Sequence, residues 1–306
     1  MRRSMLVLGL LLLFPTLALA QDPVRKLKVV ASFSILADMA REVGGEAVTV
    51  DSIVGPDQDM HVYEPAPADA RRLADAGLVL VLGLGFDRGV QQLAKSAGFR
   101  GELVPVSAGI PTRKEHDHGH GKAQGHAHGA FDPHVWQDPE RARAMVRNIE
   151  AALAKRDPAR AALYRANAER YDAELWRLRD WASAEVASVP KDQRKVVTSH
   201  ESFGYLGERF GIRFEAPQSF GTDSEPSAKA VARLIQQLKR DRTRAIFLEN
   251  IANPRTLERI AQEAGVRIGG RLYSDALSAP DGPAPTYLAM MRHNIGQLVA
   301  ALRPAS

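Results

Sequence analysis

The sequence predicts an α/β protein built as two lobes, and three observations carry that prediction. Short β-branched runs alternate with longer stretches of helical period, the pattern of parallel strands joined by helices. The runs fall into two groups of comparable size. Between the groups lies a segment of some thirty residues that keeps one helical pattern and contains no glycine. The chain is also longer than a single hydrophobic core comfortably holds.

Taken in order, residues 1–20 read as a secretory signal peptide. Arg2 and Arg3 precede an apolar run from Leu6 to Leu13, and Ala18-Leu19-Ala20 forms a small-residue cleavage site. Cleavage is expected near Ala20, leaving a soluble periplasmic protein, because no later segment approaches the ~20 uninterrupted apolar residues of a membrane span. There is no cysteine, so disulfides, thiolate ligands and a lipid-modified cysteine are all excluded. Any metal must be held by nitrogen and oxygen. Without the two leader arginines, the balance of 41 basic and 36 acidic residues becomes a modest mature charge near +3, which argues against a nucleic-acid partner.

The N-terminal lobe is expected over 21–156, with strands at 28–32, 48–54, 78–82 and 103–106, a helix from near Ala66 and another after Pro139. The segment 157–189 predicts one long linking helix. Asp157 and Pro158 suit a cap and first turn, and Leu163, Tyr164, Ala168, Tyr171, Leu175, Leu178, Ala182 and Val186 share a face. The C-terminal lobe is expected over 190–306, with strands at 195–198, 213–216 and 245–249. Its helices start at Pro226 and at Asn253-Pro254, the latter stopping before Gly265, and a last helix buries Leu288, Met291, Ile295, Leu298 and Leu302. His293 is displaced from that stripe and reads as a surface residue.

Three other isolated histidines share a context. His61 follows the strand ending at Val54, His134 lies in a proline-rich turn before a helix, and His200 stands just past the first strand of the second group. In open α/β sheets ligands bind beyond the carboxyl ends of the strands. Two of the three come from the first lobe and one from the second, so only the cleft between lobes could unite them.

The wording around these residues is more specific than their spacing. DMHVYEPAPAD, DPHVWQDPERA, VVTSHESFGYLGERFGI and YSDALSAPDGPAPTYLAMMRHN, in this order, resemble the zinc- and manganese-binding proteins of bacterial ABC importers, the cluster A-I solute-binding family. The resemblance covers essentially the whole mature chain. It implies two lobes joined by a rigid helix with one metal between them, and it implies His61, His134, His200 and Asp275 as ligands. Manganese-type members usually place a glutamate where this chain has His200. Three imidazoles and one carboxylate favour Zn2+. It further implies delivery to an ABC-type zinc permease in the inner membrane, with a periplasmic zinc chaperone as a further possible partner, by a monomeric carrier that is not an enzyme. A manganese carrier and a zinc hydrolase are the alternatives, but no HExxH or Gly-x-Ser-x-Gly motif is present. Glu64, Asp132 and Glu249 are candidates to orient the imidazoles, with a solvated surface carboxylate as the other reading of each, and Phe86 and Trp136 line the cleft or pack in a core.

The run EHDHGHGKAQGHAHG, residues 115–129, carries His116, His118, His120, His126 and His128. Glycine and histidine at this density offer no face for a core, so the run is expected to be a flexible loop. It reads as an accessory that gathers or buffers zinc near the cleft, with the principal site elsewhere.

Overall fold

The computed structural model describes residues 25–114, 131–216, 227–241 and 243–303; the expected signal peptide at 1–20, the expected helix start at Pro226 and all five histidines of the 115–129 run lie outside these. β1 (Leu27–Phe33) is buried from Val29 onward, as a strand covered on both faces must be. It passes directly into α1 (Ser34–Gly44). There follow β2 (Val48–Val54), α2 (Pro67–Ala74), β3 (Leu78–Val81), α3 (Arg88–Ser96) and β4 (Glu102–Pro105). These strands form a parallel sheet in the order β2-β1-β3-β4.

Two helices then run back to back. α4 (Pro139–Arg156) starts under Asp138, whose carboxylate accepts from the Glu140 N–H. α5 (Ala161–Ala187) returns antiparallel to it, with Arg143 paired to Asp172 and Arg179 to Glu140. At 1.5 Å per residue α5 is about 40 Å long. Its buried residues Tyr164, Ala168, Tyr171, Leu175, Leu178, Ala182 and Val186 recur at three- and four-residue spacing. Leu163 falls off this stripe and is exposed. The helix also begins later than Asp157. That residue ends α4, and its carboxylate accepts from Arg160 and the Tyr164 hydroxyl across a short 3-10 turn.

The second lobe repeats the plan of the first. β5 (Lys195–Val197), α6 (Gly204–Phe210), β6 (Arg213–Glu215), α7 (Ala228–Arg240), β7 (Ala245–Glu249), α8 (Pro254–Ala264) and β8 (Arg267–Leu272) build a parallel sheet ordered β6-β5-β7-β8. α7 is capped by Ser227 and α8 by Asn253, and α8 stops at Gly265 in the left-handed conformation. β8 is absent from the sequence expectation because Gly269-Gly270 argues against a strand. Both glycines are required there: a Cβ on Gly269 would lie 2.5 Å from the Phe247 ring, and Gly270 takes φ +134° beside the register shift opposite Ile246/Phe247.

α9 (Tyr287–Leu302) closes the fold against α5, α1 and β8. Its first turn is held by the other lobe. Asp38 of α1 accepts from the Tyr287 backbone N–H at 2.8 Å, and burial pushes the Asp38 carboxyl up to about 6. Apolar packing ignores the lobe boundary. One buried cluster runs from Val29 and Leu80 through Trp136, Tyr171 and Leu175 to Phe203, Phe247, Leu272 and Leu298, while a smaller one lies between the second sheet and α7 and α8. Among the described residues no helix is long and apolar enough to cross a membrane.

Because α5 sits inside the shared core, Leu175→Ala should cost about 2–5 kcal/mol. Urea unfolding should show this as a lower midpoint in one transition for the whole molecule; separate transitions for the two lobes would contradict the continuous core.

Candidate metal centre

Every residue of the centre stands beyond the carboxyl end of a strand, as the crevice rule for open sheets requires. His61 lies in the loop after β2. Its backbone N–H donates to Asp59 Oδ1 at 2.8 Å, and the following turn is tied by Asp69, which accepts from the Tyr63 hydroxyl and the Ala66 N–H. His134 follows a short antiparallel bridge between Lys114 and Phe131. Asp132 accepts from the His134 backbone N–H at 3.0 Å and stands 2.8 Å from its ring Nδ1 with the same oxygen. Arg113, 3.3 Å from the other Asp132 oxygen, and the Tyr205 hydroxyl, which donates to the Asp132 carbonyl, hold that turn against α6.

His200 is set by β7, the neighbour of β5 in the sheet. Glu249, at the end of β7, accepts the backbone N–H groups of Ser199 and His200 with Oε1 and places Oε2 at 2.8 Å from His200 Nδ1. Asp275 comes three residues after β8 in a loop clamped at successive points. Asn294 of α9 brackets the Tyr273 backbone, the Trp136 indole and Gln137 amide both donate to the Ser274 carbonyl, and the Ser34 hydroxyl accepts from Leu277 N–H.

The four side chains meet. His61 Nε2 and His200 Nε2 lie 2.9 and 3.0 Å from Asp275 Oδ2, and His134 Nε2 lies 3.6 Å from Oδ1. One ligand atom from each of the four lies within 4.8 Å of the others. A tetrahedral ion with bonds of ~2.0–2.1 Å needs ligand atoms roughly 3.3 Å apart, so only small adjustments separate this arrangement from a coordination shell. His134 Nε2 and Asp275 Oδ1 are buried without a hydrogen-bond partner and face the same space. A carboxylate oxygen lies 2.8 Å from Nδ1 of both His134 and His200, which favours a proton on Nδ1 and leaves Nε2 as the atom that would face a cation; without one, His200 Nε2, 3.0 Å from Asp275 Oδ2, carries a proton toward that carboxylate. Edge-on rings complete the wall: Phe86 packs against His61 at 5.3 Å and Trp136 against His134 at 5.2 Å, and both are part of the core. The loop presenting Phe86 holds Leu84 at φ +56° and is tied by buried Asp87, which accepts from Leu82 N–H and Gly83 N–H.

Of the three residues placed to orient the imidazoles, Asp132 and Glu249 do so; Glu64 is exposed and bonds to none of them. Glu201 is exposed, and His293 is bonded to the Arg271 carbonyl, away from the cluster. Gln137 and Asn294 went unread in the sequence. The signal available was weak: each is an amide beside one apolar neighbour, Trp136 in the first case and Ile295 in the second.

Burial disfavours charge throughout this centre, and pairing overcomes it. Burial alone would lower His200, but Glu249 and Asp275 outweigh it and hold the imidazole well above its ordinary range. Burial would likewise raise Asp275 and Glu249, but the charge and hydrogen bonds of the histidines hold Asp275 well below, and Glu249 below, the usual carboxylate range. A raised histidine stabilises the metal-free fold fully below its unfolded value near ~6.5 and loses that contribution as pH rises through the folded one; the lowered carboxylates contribute above ~4 and lose it on acidification. The metal-free centre therefore holds a proton where a cation would sit.

Two parallel-sheet lobes on one long helix, with three imidazoles and a carboxylate between them, define a metal-binding solute-binding protein. The chain belongs to the ZnuA family, described as zinc-uptake complex component A, periplasmic, which it matches over residues 29–301. It is thus a metal-binding substrate-binding protein of an ABC transporter. It is 33% identical over 284 residues to the manganese-binding lipoprotein MntA of Bacillus subtilis (strain 168), covering 91% of this chain and 90% of the relative. The iron-binding protein YfeA of Yersinia pestis is 29% identical over 290 residues, covering 92% and 90%. The periplasmic zinc binding protein TroA from Treponema pallidum superposes with a TM-score of 0.83 at 27% identity, covering 92% of this chain and all of that one.

In the metal-free protein, an NMR pH titration should find His200 titrating well above the ordinary imidazole range, and Glu249→Gln should bring it down. A His200 that titrates in the ordinary range would refute the pairing described above.

Proposed function

We propose that the protein captures zinc in the periplasm and delivers it to an ABC permease of the inner membrane, holding the ion with His61, His134, His200 and Asp275. The observation that carries this reading is the convergence of three imidazole Nε2 atoms on one buried carboxylate. Two of the imidazoles have their outer nitrogens already engaged by Asp132 and Glu249. A site of fixed, pre-oriented donors loses little entropy on binding. Four protein ligands leave no open position for water, which suits a carrier and not a hydrolase.

The relatives are named for manganese, iron and zinc, so donor chemistry must choose among them. Three borderline nitrogen donors with one carboxylate suit zinc, whereas manganese prefers a harder oxygen-rich set. Manganese is the second reading, favoured by the similarity to MntA. The Irving-Williams order means that copper or nickel would also bind in vitro, so supply as well as affinity selects the physiological ion. MntA is named a lipoprotein; with no cysteine among its 306 residues, this chain offers no thiol for a lipid thioether. That supports release in soluble form after cleavage near Ala20. The histidines at 116, 118, 120, 126 and 128 would then serve as accessory, weaker zinc ligands.

Protein purified from the periplasm without added metal should carry one equivalent of zinc by elemental analysis. His134→Ala and Asp275→Ala should each lower affinity by orders of magnitude in calorimetry, and His200→Glu should shift the competition toward manganese. Manganese at one equivalent in the wild type, or unchanged binding in Asp275→Ala, would defeat the zinc reading or the site respectively. Affinity should fall as pH drops, because the proton on His200 competes directly with the ion.

A further inference from the structure

Asp57 lies four residues before His61, in the turn after β2, and its backbone adopts φ +53°. Three contacts radiate from it to the other side of the cleft. Its N–H donates to the Leu277 carbonyl at 2.8 Å, one carboxylate oxygen accepts from the Asn250 amide at 3.1 Å, and the other from the Ala279 N–H at 3.1 Å. Leu277 and Ala279 belong to the loop that presents Asp275. Asn250 follows Glu249, the partner of His200, and its amide also lies 3.3 Å from the Ala276 carbonyl. One exposed residue thus joins the segments that position His61, His200 and Asp275.

We propose that Asp57 is an interlobe latch that sets how long the metal stays bound. The proposal rests on the reading that His61 and Asp275 hold the ion. For the ion to leave, the His61 loop must part from the Asp275 loop, and that separation breaks all three contacts at once. Each such bond is individually modest, and being exposed they are weaker still. Together they add to the barrier for opening without touching the coordination shell. Their exposure has a use: a membrane partner can reach Asp57 from outside and loosen the cleft without entering it.

The test is zinc release. Zinc-loaded protein is mixed with excess EDTA in a stopped-flow instrument, and the metal-free forms are melted in parallel. Asp57→Gly suits the backbone angle, keeps the N–H bond and deletes both carboxylate bonds. Release should be about tenfold faster, with the metal-free melting temperature within a few degrees of wild type. Asn250→Ala, which removes one of the two carboxylate partners, should give a smaller increase and decides the matter if Asp57→Gly does not fold. Wild-type release rates in these variants, or faster release that only tracks a lower melting temperature, overturn the latch. His134→Ala is the control for the site itself: wild-type zinc binding there overturns the site reading and the latch with it, whereas lost binding there beside unchanged release in Asp57→Gly overturns the latch alone.

Discussion

The constraint on which the structure turns is the buried carboxylate of Asp275. With 1% of the residue exposed, this anion is tolerable only against positive charge and good hydrogen bonds. The chain supplies these from both lobes, and the cost of leaving the carboxylate uncompensated explains why so much of the interior is arranged around one short loop. Asn294, Trp136, Gln137 and Ser34 fix that loop from three directions. Glu249 and Asp132 turn two imidazoles to face it. A dication entering this space replaces a proton as the compensating charge, so the electrostatic problem that the fold sets is one that the ligand solves.

Much of this was legible from residue order, and the rest was not for identifiable reasons. Buried parallel strands announce themselves as β-branched runs, so seven of the eight were expected. β8 was not, because Gly269-Gly270 is needed for packing against Phe247 and looks like a turn when read locally. The positions of His61, His134 and His200 beyond strand ends suggested a shared cleft. Asp275 was singled out by the family resemblance, since a lone aspartate beside serine carries no chemical signal of its own. Which carboxylates steady the imidazoles could not be read in line. Glu249 reaches His200 because β5 and β7 are neighbours in the sheet, with Val197 opposite Ile246, and that pairing is a property of topology. Glu64 is closer to His61 in sequence and takes no part.

The lobes are topological copies, yet they are not independent bodies. A wide hinge closure would have to tear the apolar cluster that passes through α5 and α9 from one sheet to the other, and the Asp38 cap on α9 with it. A release step that spares that cluster is left with the strand-end loops above it. Packed cores are bistable at best, not continuously deformable, which favours small loop shifts as the means of exchange. Specificity then depends on the donor types and their fixed directions more than on how far the lobes close.

The bridge between Lys114 and Phe131, reinforced by Asp132 N–H on the Arg113 carbonyl, brings both ends of the histidine-bearing segment to one point, three residues from His134. The accessory role proposed for His116, His118, His120, His126 and His128 therefore has both of its attachment points beside the centre.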